Sequence, residues 1–500
     1  MKYLYLSLLA LLLAACGRQV PQRYEQSDKL PLIYPDYTGV TIPVNLAPLT
    51  FQLESQADDV VARFSAGGEQ LVCGGLKVKP PMKAWKQLVQ QARGGAMLVE
   101  VYARRQGQWT RYKPFRVFVS PDSIDPYISY RLIPPSFVAY EDLTIRQRCL
   151  ENYDESVIYD NMLCSTERKG QCLNCHSYQQ YNPQRMQIHA RQNLGGTVVA
   201  YDGQLTKVNM KNDSLLSAGV YPAWHPWLKL IAYSTNKTHQ TFHTVDPNKI
   251  EVFDDNSDLI LYDVERNEVM NVESRPDEFE VFPFWAPDGK TLYYCSAHFE
   301  MGDSVKDRGV ELIRRSRDVK YNIYCKAFNP QTLRFGPRRL VVDAAAVGKS
   351  ATLPRISPDG RFLMFTLGAF GVFHIWHHDA DLWTLDLQTG QLRDMKELNS
   401  PDTESYHSWS SNGRWVIFSS RRDDGNYTRP FMAHIDRQGR GSKPFELPSS
   451  DPDYHLQLMK CYNIPEFMRG PVTISPQQFA DALKGEGQQP VKFVRQLSAR

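Results

Sequence analysis

Five hundred residues exceed what one hydrophobic core serves, so two or three domains are expected. The 58 Lys and Arg against 55 Asp and Glu give a net charge of only +3 with no basic stripe, which excludes nucleic acid as a partner. Aromatic content of 12%, with 32 prolines and 30 glycines, favours short strands and turns, a mainly β protein.

Met1-Lys2 and the apolar run Tyr3 to Ala15 have the length of a signal-peptide core. They fall short of the roughly 20 residues that a spanning helix needs. Small residues stand before Cys16, and Leu13-Ala14-Ala15-Cys16 resembles a bacterial lipobox. That resemblance implies residues 1–15 as a removed signal and Cys16 as a lipid-modified first residue. With Gly17 after the cysteine, it implies an outer-membrane anchor facing the periplasm. Residues 16–45, with Pro21, Pro31, Pro35 and Pro43, read as an extended tether.

Residues 46–120 read as a small β-sandwich-like domain. Ala96 to Arg104 alternates apolar and polar, and Arg105 to Gln108 turns the chain into a strand from Trp109 to Val119. One helix is predicted from Pro81 to Arg93, with Trp85, Leu88, Val89 and Ala92 on one face and Gly94-Gly95 ending it.

Residues 121–195 show no clear periodicity and read as a short irregular segment with short helices. They hold Cys172-Leu173-Asn174-Cys175-His176, two cysteines three apart with a histidine directly after the second. This is the spacing for covalent attachment of haem c: Cys172 and Cys175 as thioethers and His176 as proximal iron ligand. Met186 and His189 are candidates for the sixth position, with Met162, Met210, His243, His374, His377 and His378 farther off. An open sixth position is an alternative. A zinc site of Cys164, Cys172, Cys175 and His176 is the rival reading. The other six cysteines, Cys73, Cys149, Cys164, Cys295, Cys325 and Cys461, suit an oxidising compartment, with Cys149–Cys164 and Cys295–Cys325 as plausible bridges and buried thiols as the alternative.

From residue 196 the chain repeats. Tyr221-Pro-Ala-Trp224-His-Pro226, Phe282-Pro-Phe-Trp285-Ala-Pro-Asp-Gly289, Leu353-Pro-Arg-Ile356-Ser-Pro-Asp-Gly360 and Tyr406-His-Ser-Trp409-Ser-Ser-Asn-Gly413 align without gaps, each followed by an apolar strand. Strand, tight turn and strand at such a period are the signature of propeller blades. The copies resemble the TolB-like β-propellers, which implies six blades over residues 196–470 and a tail over 471–500, with Gly195 to Met210 as part of a further blade and Leu456 to Phe467 as strands that close the ring. The first copy departs from the pattern, with Trp227-Leu228 in place of Asp-Gly or Asn-Gly. Unequal spacing implies insertions at His239 to Asp255 and Glu300 to Val319, on one rim.

The run His374-Ile-Trp-His377-His378-Asp379-Ala-Asp381 holds three histidines and two carboxylates, a second place for a metal, although strand alternation would split the histidines between faces. No Ser-His-Asp order, phosphate loop or carboxylate pair stands out.

The favoured function is electron transfer: a lipid-anchored chain whose haem c exchanges electrons with a protein redox partner docked on the propeller face. The alternatives are a haem-dependent periplasmic oxidoreductase and a non-redox interaction scaffold.

Overall fold

The computed structural model describes residues 18–135, 139–302, 305–485 and 490–497. The signal segment and Cys16 lie outside the described residues. The fold is mainly β, and among the described residues no helix is long and apolar enough to cross a membrane.

The N-terminal domain is built on a seven-stranded sheet and a three-stranded sheet. Helix Met82–Gln91 starts after Pro81 and buries Trp85, Leu88 and Val89, the apolar face predicted from its spacing. Phe64 of the large sheet meets Phe51 of the small sheet at 6.3 Å and Trp85 of the helix at 5.8 Å, so all three elements share one core. The predicted hairpin turns at Gln106-Gly107, both with positive φ, but its second arm breaks into strands Gln108–Arg111 and Phe115–Ser120.

Residues 16–45 are not a tether along their length. Ile33, Tyr37, Val40 and Ile42 are buried in the same core, and Thr41–Pro43 is a strand of the large sheet. Arg18 is already tied to Asp59 at 2.6 Å. The apolar alternation here is short and broken by prolines, which is why it carries no strand signal.

The rest of the chain forms a ring of six four-stranded antiparallel blades, and it begins at Tyr127 rather than residue 196. Blade one takes three strands from Tyr127–Ile133, Thr144–Cys149 and Glu155–Asp160, and its fourth, innermost strand from Cys461–Met468. That late strand pairs with Tyr127–Ile133 and closes the ring. Blade two runs from Gln171 to Val208, three from Val220 to Glu273, four from Glu278 to Val342, five from Ser350 to Asp394 and six from Glu404 to Glu446.

Residues 121–195 are therefore not irregular: they supply most of blade one and half of blade two. Nor do the described residues of the expected C-terminal tail, 471–485 and 490–497, stand apart from the propeller. Helix Pro476–Lys484 carries a Ser475 capping box and buries Phe479, Ala480 and Leu483 against blades one and two, and Lys492–Phe493 adds a strand to blade three.

Five of the six inner strands carry the same irregularity. Opposite Tyr233, Tyr294, Phe365, Phe418 and Tyr130 the inner strands place two residues against one, a β-bulge. The first of the two, Tyr221, Phe282, Leu353, Tyr406 or Ile464, sits at φ between 44° and 57°, and the next is Pro222, Pro283, Pro354, His407 or Pro465. Left-handed backbone costs such residues about 1–2 kcal/mol each. The bulge aims consecutive side chains at the central channel, where their packing offsets that cost.

The departing turn of blade three has its own chemistry. His225 Nδ1 accepts from the backbone N–H groups of Trp227 and Leu228, and Nε2 lies 3.0 Å from the Gly289 carbonyl of blade four. His225 thus holds a turn in which Trp227-Leu228 stand in place of Asp-Gly, and Trp227 is 67% exposed.

The eight described cysteines are all free thiols, so neither expected bridge forms. Cys295 and Cys325 lie on adjacent strands but pair with Ile323 and Tyr293. The histidine run does not gather a metal either. His374 Nδ1 meets Thr352 Oγ1, His377 Nε2 meets Glu251 at 2.8 Å, and His378 Nδ1 meets Asp402. The inserted hairpin of blade three, whose tip is residues 243–249, thus reaches across to blade five.

Candidate functional site

The innermost strands bring six sets of equivalent side chains to one axis. Ser177, Ala223, Phe284, Arg355, Ser408 and Glu466 form one ring, and Tyr178, Trp224, Trp285, Ile356, Trp409 and Phe467 form the next. Together they line a cavity of about 320 Å³ at the mouth of the channel. That is the low end of ligand-pocket sizes.

Two charges meet at this mouth. Arg355 and Glu466 face each other at 3.8 Å with side chains 19% and 15% exposed, and the Arg355 guanidinium also lies 4.8 Å over the Phe284 ring. Burial pushes the Glu466 carboxyl up to about 7 against the pull of Arg355, and burial lowers Arg355. Arg469 adds a second cation, over Tyr181. The Trp224 and Trp285 indole N–H groups are buried with no acceptor in the protein, whereas Trp409 donates to the Arg355 carbonyl. The mouth offers aromatic faces, unused donors and a buried ion pair.

Deeper along the axis the channel narrows to a cavity of about 30 Å³ lined by Cys175, His176, Tyr221, Phe282, Leu353 and Tyr406 among others. Cys172-x-x-Cys175-His176 thus lies on the inner strand Gln171–Gln179 of blade two. Cys175-His176-Ser177-Tyr178 occupies the place that Tyr406-His407-Ser408-Trp409 occupies in blade six.

Strand register separates the motif. Cys172 pairs with Arg191 and Cys175 with His189, while His176 pairs with Ile188 and Tyr178 with Met186. Directly paired residues share a face. Both cysteines therefore lie with His189, and His176 lies across the strand with Met186. His189 Nδ1 is 2.9 Å from Thr197 Oγ1. Burial, helped by Arg131 and Arg191 respectively, brings His176 and His189 down to about 3, so both imidazoles are neutral.

For haem c the donor chemistry is half right. Both ring nitrogens of His176 are buried without a partner, as a ligating imidazole requires. The room is wrong: the cavity that Cys175 and His176 line, about 30 Å³, admits no porphyrin. As folded, Cys172, Cys175, His176, Met186 and His189 do not fit haem. The zinc rival is not assembled either, since no three His, Cys, Asp or Glu side chains group as ligands among the described residues. Cys164 is turned instead to the Ala480 carbonyl.

Arg355 and Glu466 were missed from the sequence because 111 positions separate them. The signal was present: Arg355 replaces the small or aromatic residue of the Pro-x-Trp repeat, and Ile464-Pro465-Glu466-Phe467 is a further copy of that repeat.

No family model and no curated protein matches this chain. Among solved structures, TolB from Acinetobacter baumannii aligns at 13% identity over 74% of this chain and 78% of its own, with a TM-score of 0.41. The tricorn protease aligns at 12% identity over 80% of this chain and 36% of its own, TM-score 0.37. Oligogalacturonate lyase from Vibrio parahaemolyticus aligns at 14% over 78% and 94%, TM-score 0.31. Likenesses at this level carry no argument, and the propeller rests on the strand order and the six-fold rings of the channel.

Proposed function

We propose that the chain is an interaction scaffold of the cell envelope, held to the membrane through a lipid on Cys16, that receives a segment of a partner protein in the mouth of its propeller. The observation that carries this reading is the 320 Å³ mouth to which all six blades contribute, with the Arg355–Glu466 pair and two unused indole donors. Clusters of aromatic and arginine side chains around a concave centre are where binding energy concentrates in interfaces. The test is site-specific photocrosslinking in cells from Trp409 and from Trp227. A partner adduct formed from Trp409 and lost in Arg355→Gln supports the reading; adducts that ignore Arg355 overturn it.

Haem-dependent electron transfer is the second reading, favoured by the unpartnered imidazole of His176 next to the Cys-x-x-Cys spacing. It requires the inner strand of blade two to leave the channel. A pyridine haemochrome spectrum after an acid-acetone wash decides it. Haem that survives the wash and is lost in Cys172→Ser/Cys175→Ser establishes haem c; protein without haem leaves the scaffold.

A further inference from the structure

We infer that one edge of the N-terminal domain is a membrane-facing surface that docks on anionic lipid headgroups. This inference rests on the lipid anchor proposed for Cys16.

Arg18 follows Cys16 by two residues, a reach of at most about 7 Å of extended chain. Arg18 is fixed to the fold: its guanidinium bonds Asp59 at 2.6 Å. Register carries that point across the large sheet, because Asp59 pairs with Arg104 and Arg104 pairs with Trp109. The edge that ends in Gln106-Gly107 is therefore the part of the protein tied nearest to the anchor, and a lipid on Cys16 leaves it almost no slack.

The chemistry of this edge suits the place. Arg104 lies 5.5 Å over the half-buried Trp109 ring. Tyr24 is 41% exposed, with Arg111 over its ring. Arg23 is exposed, and Arg105 holds the rim through the Gln56 carbonyl and Ser55 Oγ. Residues 104–113 carry four cations and no acid. Of the acids nearby, Asp59 is shared by Arg18 and Arg104 and the buried Glu100 is shared by Arg63 and Arg111, while Glu25, Asp28, Glu54 and Asp58 are exposed, so the cations of the rim stand beside a minority of free carboxylates. Tryptophan and tyrosine with flanking arginines are the side chains that settle at a headgroup layer. Each cation within a Debye length of an anionic surface contributes about fivefold in affinity.

The experiment uses the full chain from residue 16 with Cys16→Ser, so that no acyl chain contributes, and measures cosedimentation with phosphatidylcholine vesicles with and without phosphatidylglycerol. Binding is expected only with phosphatidylglycerol, weakened about fivefold in Arg23→Gln, which has no partner to lose, and by roughly twentyfold or more in Arg23→Gln/Arg104→Gln. Trp109→Phe is expected to abolish quenching by brominated lipid while leaving the melting temperature in place. Equal binding to both vesicles, or binding unchanged in the double variant, overturns the inference. Mass spectrometry of the N-terminal peptide from membranes tests the anchor separately. A lipidated Cys16 with no vesicle binding sinks the surface alone, and an unmodified Cys16 sinks the anchor.

Discussion

Arg355 of blade five reaches past blade six to meet Glu466 of blade one at 3.8 Å, so one ion pair joins two blades that share no strand pairing. Glu466 lies on the strand that closes the ring, and the pair borders both the mouth and the narrow part of the channel.

Glu466 makes stability depend on pH. Its carboxyl is raised from an ordinary 4.5 to about 7 in the fold, so the folded state holds the proton more tightly than the unfolded chain. The stabilisation is complete below pH 4.5 and is lost as pH rises through 7, on the order of 3 kcal/mol. Thermal melts from pH 4 to 8 are expected to show wild type losing ground to Glu466→Gln across that window. Parallel curves for the two proteins would refute this.

The His377–Glu251 pair holds the inserted hairpin of blade three against blade five, with side chains 0% and 3% exposed. His377→Ala leaves a buried carboxylate alone, at a cost of about 3–5 kcal/mol. Hydrogen exchange is expected to quicken in residues 235–253 far more than in blade six. Unchanged protection in that hairpin would show that the pair does not hold it.

His225→Ala removes the acceptor of two backbone N–H groups and the contact to Gly289, a loss of about 2 kcal/mol. His225→Asn, whose side-chain oxygen can serve one of those N–H groups, is expected to recover part of it in urea melts. If the two variants are equally unstable, ring packing against Trp285, 4.8 Å away, matters more than the hydrogen bonds.

Four blades were legible because Pro-x-Trp and Asp-Gly recur at the turn, where backbone geometry restricts the residue types. The outer half of blade two was legible in Gly195 to Met210, but its inner half hid because Gln180-Tyr181, both at positive φ, replace the Pro-Asp-Gly turn, and because Cys175-His176 drew a haem reading from residues that also fit the inner-strand repeat. The closing strand was legible within Leu456 to Phe467, but the three strands of blade one that it joins were not, because local periodicity says nothing about pairing at that distance. The channel mouth was illegible for the same reason: six strands each give it two or three residues, with no fixed spacing between them.

Closure of the ring by Cys461–Met468 makes the two ends of the propeller sequence one cooperative unit. Tyr462 is fully buried, packs its ring 4.7 Å from Tyr130 on the paired strand, and shares its hydroxyl with His455 Nε2 at 3.1 Å. Tyr462→Ala opens a cavity at this seam and is expected to cost about 3–5 kcal/mol. Tyr462→Phe removes only the hydroxyl and is expected to cost about 1 kcal/mol. The diagnostic is location: hydrogen exchange in Tyr462→Ala is expected to rise together in residues 127–133 and 461–468, with blade four spared. Independent behaviour of the two strands would mean that the ring is closed by blade-to-blade packing rather than by this pairing. Joint loss of protection means that the pairing carries the closure, because an unpaired Tyr127–Ile133 would leave blade one with an open inner edge facing the channel.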